Sequence, residues 1–183
     1  MKTTKGIEER KINMREIIHN NDNLQESDIN KVVERAKIIL VNSKDEILLA
    51  KSHQNYFFIG GHVKKNETIE ECLIRETKEE AGIDLPKEKR EPFFAIKYLC
   101  KDYPNKNENT KYITSYFSIE TDLVPDLSQV TLTEDEKDGE FHIEAINKNE
   151  IISKLEASLA TCTKENVVKD TIQALKEYLN VTD

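Results

Sequence analysis

The sequence predicts an α/β protein in which helices cover both faces of a mixed β-sheet, an α/β/α sandwich. Three observations carry that expectation. Short β-branched and aromatic runs recur through residues 32–146, a helical pattern interrupts them at 68–81, and the C-terminal tail returns to helical spacing. Strands on either side of a mid-chain helix, with helices at the end, are the layout that buries a sheet between helical layers. At 183 residues, the chain is long enough for one well-buried domain and short for two.

Residues 1–30 are polar apart from an apolar cluster at Met14, Ile17 and Ile18. They read as an N-terminal extension with room for one short strand or helix, and residues 31–183 as the domain, C-terminal helices included. The run 32–41, VVERAKIILV, ends at Asn42-Ser43-Lys44-Asp45 and makes a hairpin signal with residues 47–50. Residues 56–59 form a short aromatic strand that stops at Gly60-Gly61. Thr68 and Glu71 match a capping box at the head of the helix, and Gly82 stands where a glycine ends one. Residues 93–100 and 112–121 alternate as strands around the polar stretch KDYPNKNENTK. Residues 122–139 read as a long acidic loop and 141–146 as a last strand. Val168, Ile172, Leu175 and Leu179 recur at three- and four-residue spacing and form one apolar stripe.

Composition narrows the function. Cys72, Cys100 and Cys162 are far apart and form no CxxC pair, which argues against a disulfide framework or a structural zinc site. Each reads as a small buried apolar group. The formal charge of −8 disfavours duplex nucleic acid as a partner, since polyanion binders present basic surfaces. No run approaches the roughly 20 apolar residues that span a bilayer, and the N-terminus lacks the apolar core of a secretory signal. A cytoplasmic protein that does not bind membranes is the expectation.

The chemistry concentrates in residues 61–83, GHVKKNETIEECLIRETKEEAGI. At about 100° per residue, Glu76, Glu79 and Glu80 span an arc of roughly 100°. The same arc holds Ile69, Cys72 and Leu73, which must face the core. Crowded, part-buried like charges are costly unless compensated. A divalent cation compensates them, and hard oxygen ligands suit Mg²⁺ or Mn²⁺. The plain alternative is a solvated acidic helix face.

This segment resembles the signature of the Nudix family, G-x5-E-x7-R-E-U-x-E-E-x-G-U, with U a bulky apolar residue. Gly61, Glu67, Arg75, Glu76, Glu79, Glu80, Gly82 and Ile83 fall in register; Thr77 is smaller and more polar than its position asks. The resemblance implies a Nudix-like α/β/α sandwich and hydrolysis of a nucleoside diphosphate linked to another moiety, X. It implies Glu76, Glu79 and Glu80 as catalytic metal ligands, joined by the backbone carbonyl of Gly60. Gly61, Glu67, Arg75 and Gly82 are then supporting residues, with a Glu67–Arg75 ion pair bracing the loop against the helix. Glu136 or Glu140, in the acidic loop, is the candidate for a further ligand or general base, against the plainer reading of a solvated charge run. The expected partner is a small phosphorylated substrate, and a homodimer is left open. A noncatalytic nucleotide sensor on the same fold is the alternative, although such regulators often lose box glutamates and none is lost here. His62 follows the glycines as a site-lining or surface residue. Tyr56, Phe57, Phe58 and Tyr103 are base-stacking candidates for which core packing is the commoner role.

Overall fold

A computed structural model describes residues 14–182 of the chain. Its strands are β1 (Arg15–His19), β2 (Lys31–Val41), β3 (Glu46–Ser52), β4 (Asn55–Phe57), β5 (Phe94–Cys100), β6 (Thr110–Glu120) and β7 (His142–Asn147). Its helices are α1 (Ile69–Ala81), α2 (Glu134–Asp138), α3 (Lys148–Ser158) and α4 (Glu165–Thr182). The strands form one seven-stranded sheet in the order β1-β5-β6-β2-β3-β4, with β7 also paired to β3. The pairs β1–β5 and β2–β6 are parallel and the others antiparallel. The sheet is mixed, as the sequence implied.

Period-two alternation in β2 sends its side chains to two cores. Ile39 and Val41 join Phe94, Ile96 and Tyr116 beneath α3 and α4, where Ile151, Leu155, Val168, Ile172 and Leu175 are buried. Ile38 and Leu40 join Ala50, Ile59 and Phe117 beneath α1, which contributes Cys72 and Leu73. Helices thus cover both faces of the sheet. The apolar stripe expected in the tail is the inner face of α4.

Several local expectations shift. The anticipated hairpin of β2 with β3 holds over Leu40–Leu48 and Val41–Ile47 alone. Beyond that point the same edge of β2 is taken by residues 59–62, through the bridges Ile38–Ile59 and Arg35–His62, while its opposite edge pairs along its full length with β6. Residues read as an N-terminal extension contribute β1, an edge strand in parallel register with β5 from Arg15–Phe94 to His19–Tyr98; residues 1–13 lie outside the described residues. The segment 122–139 is not loop throughout, since its end folds into α2. There Thr133 and Glu136 form the same reciprocal cap as Thr68 and Glu71. Of the cysteines, Cys72 is buried and Cys100 and Cys162 are half-buried.

Candidate active site

The site begins at the edge of β2 opposite β6. The Ile38 N–H donates to the Ile59 carbonyl at 2.9 Å and the Ala36 N–H to the Gly61 carbonyl at 3.0 Å, leaving Gly60 kinked between them. Gly60 has φ +126°, and a Cβ there would stand 2.1 Å from the Ala36 carbonyl oxygen. Only glycine permits this approach. At Gly61 a Cβ would lie 2.5 Å from Oε1 of Glu76, so the missing side chain is what admits that carboxylate.

α1 brings the carboxylates to this kink. Thr68 caps its N-terminus by accepting from the Glu71 N–H, and Gly82 ends it in the left-handed conformation. Within it, Glu80 is 5% exposed and accepts the Gly60 N–H at 3.0 Å. Burial pushes its carboxyl up to about 7; Lys37 and the Gly60 N–H oppose the rise, while Glu76 and Glu136 add to it. One turn earlier, Arg75 forks onto Glu67, with Nε to Oε1 at 2.7 Å and Nη2 to Oε2 at 2.9 Å. Its Nη1 also reaches Glu76 at 2.6 Å and Glu79 at 2.9 Å. These hydrogen bonds hold the Glu67 carboxyl below the usual glutamate range. Burial raises the Cys72 thiol, which packs beneath the loop, to about 11, leaving it a poor nucleophile.

Two cations from β2 face the same space. Lys37 is half-buried, donates to the Gly60 carbonyl and lies 5.1 Å from the centre of the Phe57 ring. Burial lowers its pKa, and the carboxylates of Glu80 and Glu76 oppose that change. Arg35 donates through Nε to Nε2 of His62 at 3.0 Å, so that ring nitrogen is unprotonated. Burial, Arg35 and Lys37 together lower the His62 pKa. His62 is exposed and lines the site.

These groups form one end of a cavity of about 870 Å³ that runs from α1 across β2 and β6 to α4. Glu76, Glu79, Glu80, Gly60, Gly61 and Arg75 all line it, while Glu67 stands behind Arg75. Gly82 is remote from the opening and serves the helix end, packed against the Asp126 carbonyl. Glu136 lines the cavity and Glu140 does not. The reason is the path of the loop. The N–H groups of Asp126 and Thr131 donate to the carbonyls of Ala81 and Glu79, and the Gly139 carbonyl accepts from His53. Residues 126–139 are thereby laid along α1 and across to the β3–β4 turn, with α2 at the cavity rim. Of the aromatic candidates, Phe57, Phe58 and Tyr103 line the cavity; Tyr56 and Phe58 are core residues.

The donor set suits a hard divalent cation: three carboxylates on one helix face, one of them buried with too little positive charge to hold it fully ionised, and a kinked backbone carbonyl. Among the described residues no group of three His, Cys, Asp or Glu side chains is already gathered to hold a metal ion. Arg75 draws Glu76 and Glu79 toward itself, and Lys37 covers the Gly60 carbonyl, so protein cations compensate these ligands instead. Sequence reasoning missed Arg35 and Lys37. Two cations two residues apart on one face of an apolar strand were the available signal.

A family model described as the NUDIX domain matches residues 32–159. Over 52 residues the chain is 40% identical to a protein named NAD-capped RNA hydrolase NudC from Stutzerimonas stutzeri, covering 26% of this chain and 19% of that one. The NudC of Pseudomonas aeruginosa matches at 38% identity over the same length. The aligned segment is thus about a fifth of the length of these relatives. Among solved structures, a NUDIX hydrolase from Nitrosomonas europaea superposes with a TM-score of 0.58 at 18% identity, covering 82% of this chain and 90% of that one. A MutT protein from Methanosarcina mazei Go1 superposes with a TM-score of 0.50 at 16% identity, covering 81% and 96%. Among the described residues, no helix is long and apolar enough to cross a membrane.

Proposed function

The chain belongs to the Nudix family, and from that premise we propose that it is a metal-dependent pyrophosphohydrolase cleaving the diphosphate linkage of a nucleoside diphosphate joined to a further group X. The observation that carries the reading is the concentration of carboxylates, one of them buried, at one end of a nucleotide-sized cavity. Glu80 accepts the Gly60 N–H and Glu76 packs on Gly61, while Glu79 stands beside them on Arg75 and Lys64. Ligand cavities commonly run from about 300 to 1,000 Å³. The NudC relatives, named for an NAD-capped substrate, support an NDP-X substrate over this short matched segment.

Glu76, Glu79, Glu80 and the Gly60 carbonyl are the groups that would hold Mg²⁺ or Mn²⁺. Such an ion supplies neutralisation of the diphosphate and a water acidified for attack. Around it, Arg75 holds Glu76 and Glu79 in position, and Glu67 fixes Arg75 through its bidentate fork. Glu80, whose carboxyl is pushed up to about 7 in the metal-free chain, would give up its proton when a cation is held there. Glu136 at the rim is a further candidate ligand or base. Arg35 and Lys37 are placed to bind phosphate oxygens crossing β2. Water attacks one phosphorus, a glutamate takes its proton, and the bridging oxygen leaves with the other phosphate.

A panel of nucleoside diphosphate derivatives incubated with Mg²⁺ or Mn²⁺, read by phosphate release after phosphatase coupling, tests the proposal. Turnover should require added metal and vanish in EDTA. Undiminished turnover by rigorously metal-stripped protein would overturn the mechanism, and tight binding with no turnover would identify a sensor instead.

A further inference from the structure

We infer that a second cavity, built by β1, the end of β5 and α4, is the subsite for group X, and that it selects a neutral, hydroxyl-bearing group such as a sugar. The inference rests on the NDP-X reading above. This cavity measures about 640 Å³. It adjoins the first at Tyr103 and Asp170, which line both. A substrate seated with its diphosphate at the glutamates therefore has space beyond the first cavity for a large second group. Two of the three segments forming this space lie outside the matched residues 32–159: β1 before them and α4 after them.

Its chemistry centres on Asp170. Tyr98 donates its hydroxyl to Oδ1 at 2.6 Å, and no cation among the described residues stands within ion-pairing distance of this carboxylate. Burial raises the Asp170 carboxyl, against the pull of the Tyr98 hydroxyl, His19 and Arg35. Its second oxygen meets no protein donor among the described residues and is open to the cavity, where a ligand hydroxyl can donate to it. An anionic X would be repelled there. Elsewhere in the cavity Lys101 balances Asp22, and Lys169 is ion-paired with Glu165 at 2.5 Å, so little free positive charge is left to attract an anion. The amides of Asn166 and Gln173 both donate and accept, as sugar hydroxyls do. Tyr98 stacks on His19 with ring centroids 4.5 Å apart and 15° between planes, and both rings line the cavity beside Asp170.

Calorimetric binding of ADP-ribose and of ADP, with Ca²⁺ replacing Mg²⁺ to suppress turnover, tests the subsite. The wild-type chain should bind ADP-ribose at least tenfold more tightly than ADP. Asp170→Asn, which keeps the side-chain shape, should bring that ratio to within about threefold, and His19→Ala should reduce it by a smaller factor. Equal affinities in the wild type, or an Asp170→Asn variant that keeps the full ratio, would overturn the inference. Failure of the hydrolase reading looks different: the ADP-ribose advantage would persist while neither Mg²⁺ nor Mn²⁺ supported turnover of any diphosphate.

Discussion

The two ends of the main cavity handle negative charge in opposite ways. At the α1 end, Glu67, Glu76 and Glu79 converge on the single guanidinium of Arg75, and Glu80 is buried beside them. At the α4 end one carboxylate, Asp170, meets a tyrosine hydroxyl. The first end gathers four carboxylates, one of them buried with its carboxyl pushed up to about 7, where an added cation would relieve the cost. The second has no cation among the described residues beside its carboxylate and leaves one oxygen open to a donor from the ligand. A substrate spanning them would be activated at one end and identified at the other, so substitutions at the α1 end should act on kcat, affinity for metal or stability.

The largest effect is expected from Glu79→Gln and Glu80→Gln. Each should lower kcat at saturating metal and substrate by about 10²–10³-fold or more, with both variants still folded. If both folded variants keep near-full activity, the α1 end is not the reactive one and the contrast collapses.

Next comes Glu67→Gln, which takes the charged fork from Arg75 while leaving Glu76 and Glu79 on its Nη1, and should cost roughly 1.5–3 kcal/mol of stability, read as a lower melting temperature. The Glu67 carboxyl sits below its ordinary value of 4.5 in the folded chain. Its contribution is therefore complete above that pH and lost as pH falls through the lower folded value. Melting curves of wild type and Glu67→Gln should converge in acid. A gap that does not narrow at all as pH is lowered below 4.5 would mean that Arg75 does not depend on this charge.

Glu80 gives the opposite sign. With its carboxyl raised from 4.5 to about 7, the folded chain holds a proton that the unfolded chain has released. Metal-free stability should fall between those values, by about 3 kcal/mol at most, and then level off. Glu80→Gln should flatten the trend in EDTA. Affinity for Mn²⁺ should weaken as pH drops below 7, because the ion must displace that proton. Metal affinity that is flat from pH 8 to pH 5.5 would remove Glu80 from the ligand set.

The smallest effect belongs to Thr77. Its side chain is fully buried, and among the described residues its hydroxyl is the buried side-chain oxygen without a hydrogen-bond partner. Thr77→Val should raise stability by about 1 kcal/mol, leaving kcat alone. Destabilisation by a similar amount would show that the hydroxyl is satisfied in solution.

The same contrast explains what could be read in advance. The α1 end is written contiguously: the cap at Thr68 and Glu71, the glycine stop at Gly82 and the carboxylate spacing are local, so helical geometry alone places them. Even the Glu67–Arg75 pair needs one short loop closure. The α4 end depends on which strands become neighbours. Asp170 is one more polar residue in an amphipathic helix until β1 and β5 supply His19 and Tyr98. Nothing local in REIIH announces a parallel partner 79 residues on, at Phe94. Short range also hid a readable signal, since Thr133 and Glu136 repeat the cap of α1 inside what looked like a plain acidic loop.

The parallel register of β2 with β6 also fixes the order in which the site can assemble. Lys31 pairs with Thr110 and Val41 with Glu120, partners separated by close to half the chain. The box helix and its glycine kink leave the ribosome well before β6 does, so the strand carrying Arg35 and Lys37 lacks its β6 neighbour while α1 is already complete. Pairings of such long range carry a loop-closure cost before they stabilise anything. During that interval the carboxylates of α1 are exposed to water and the cations of β2 lack the sheet that aims them. A nascent chain halted before residue 110 would therefore carry every residue of the signature and still lack the floor on which a diphosphate must lie.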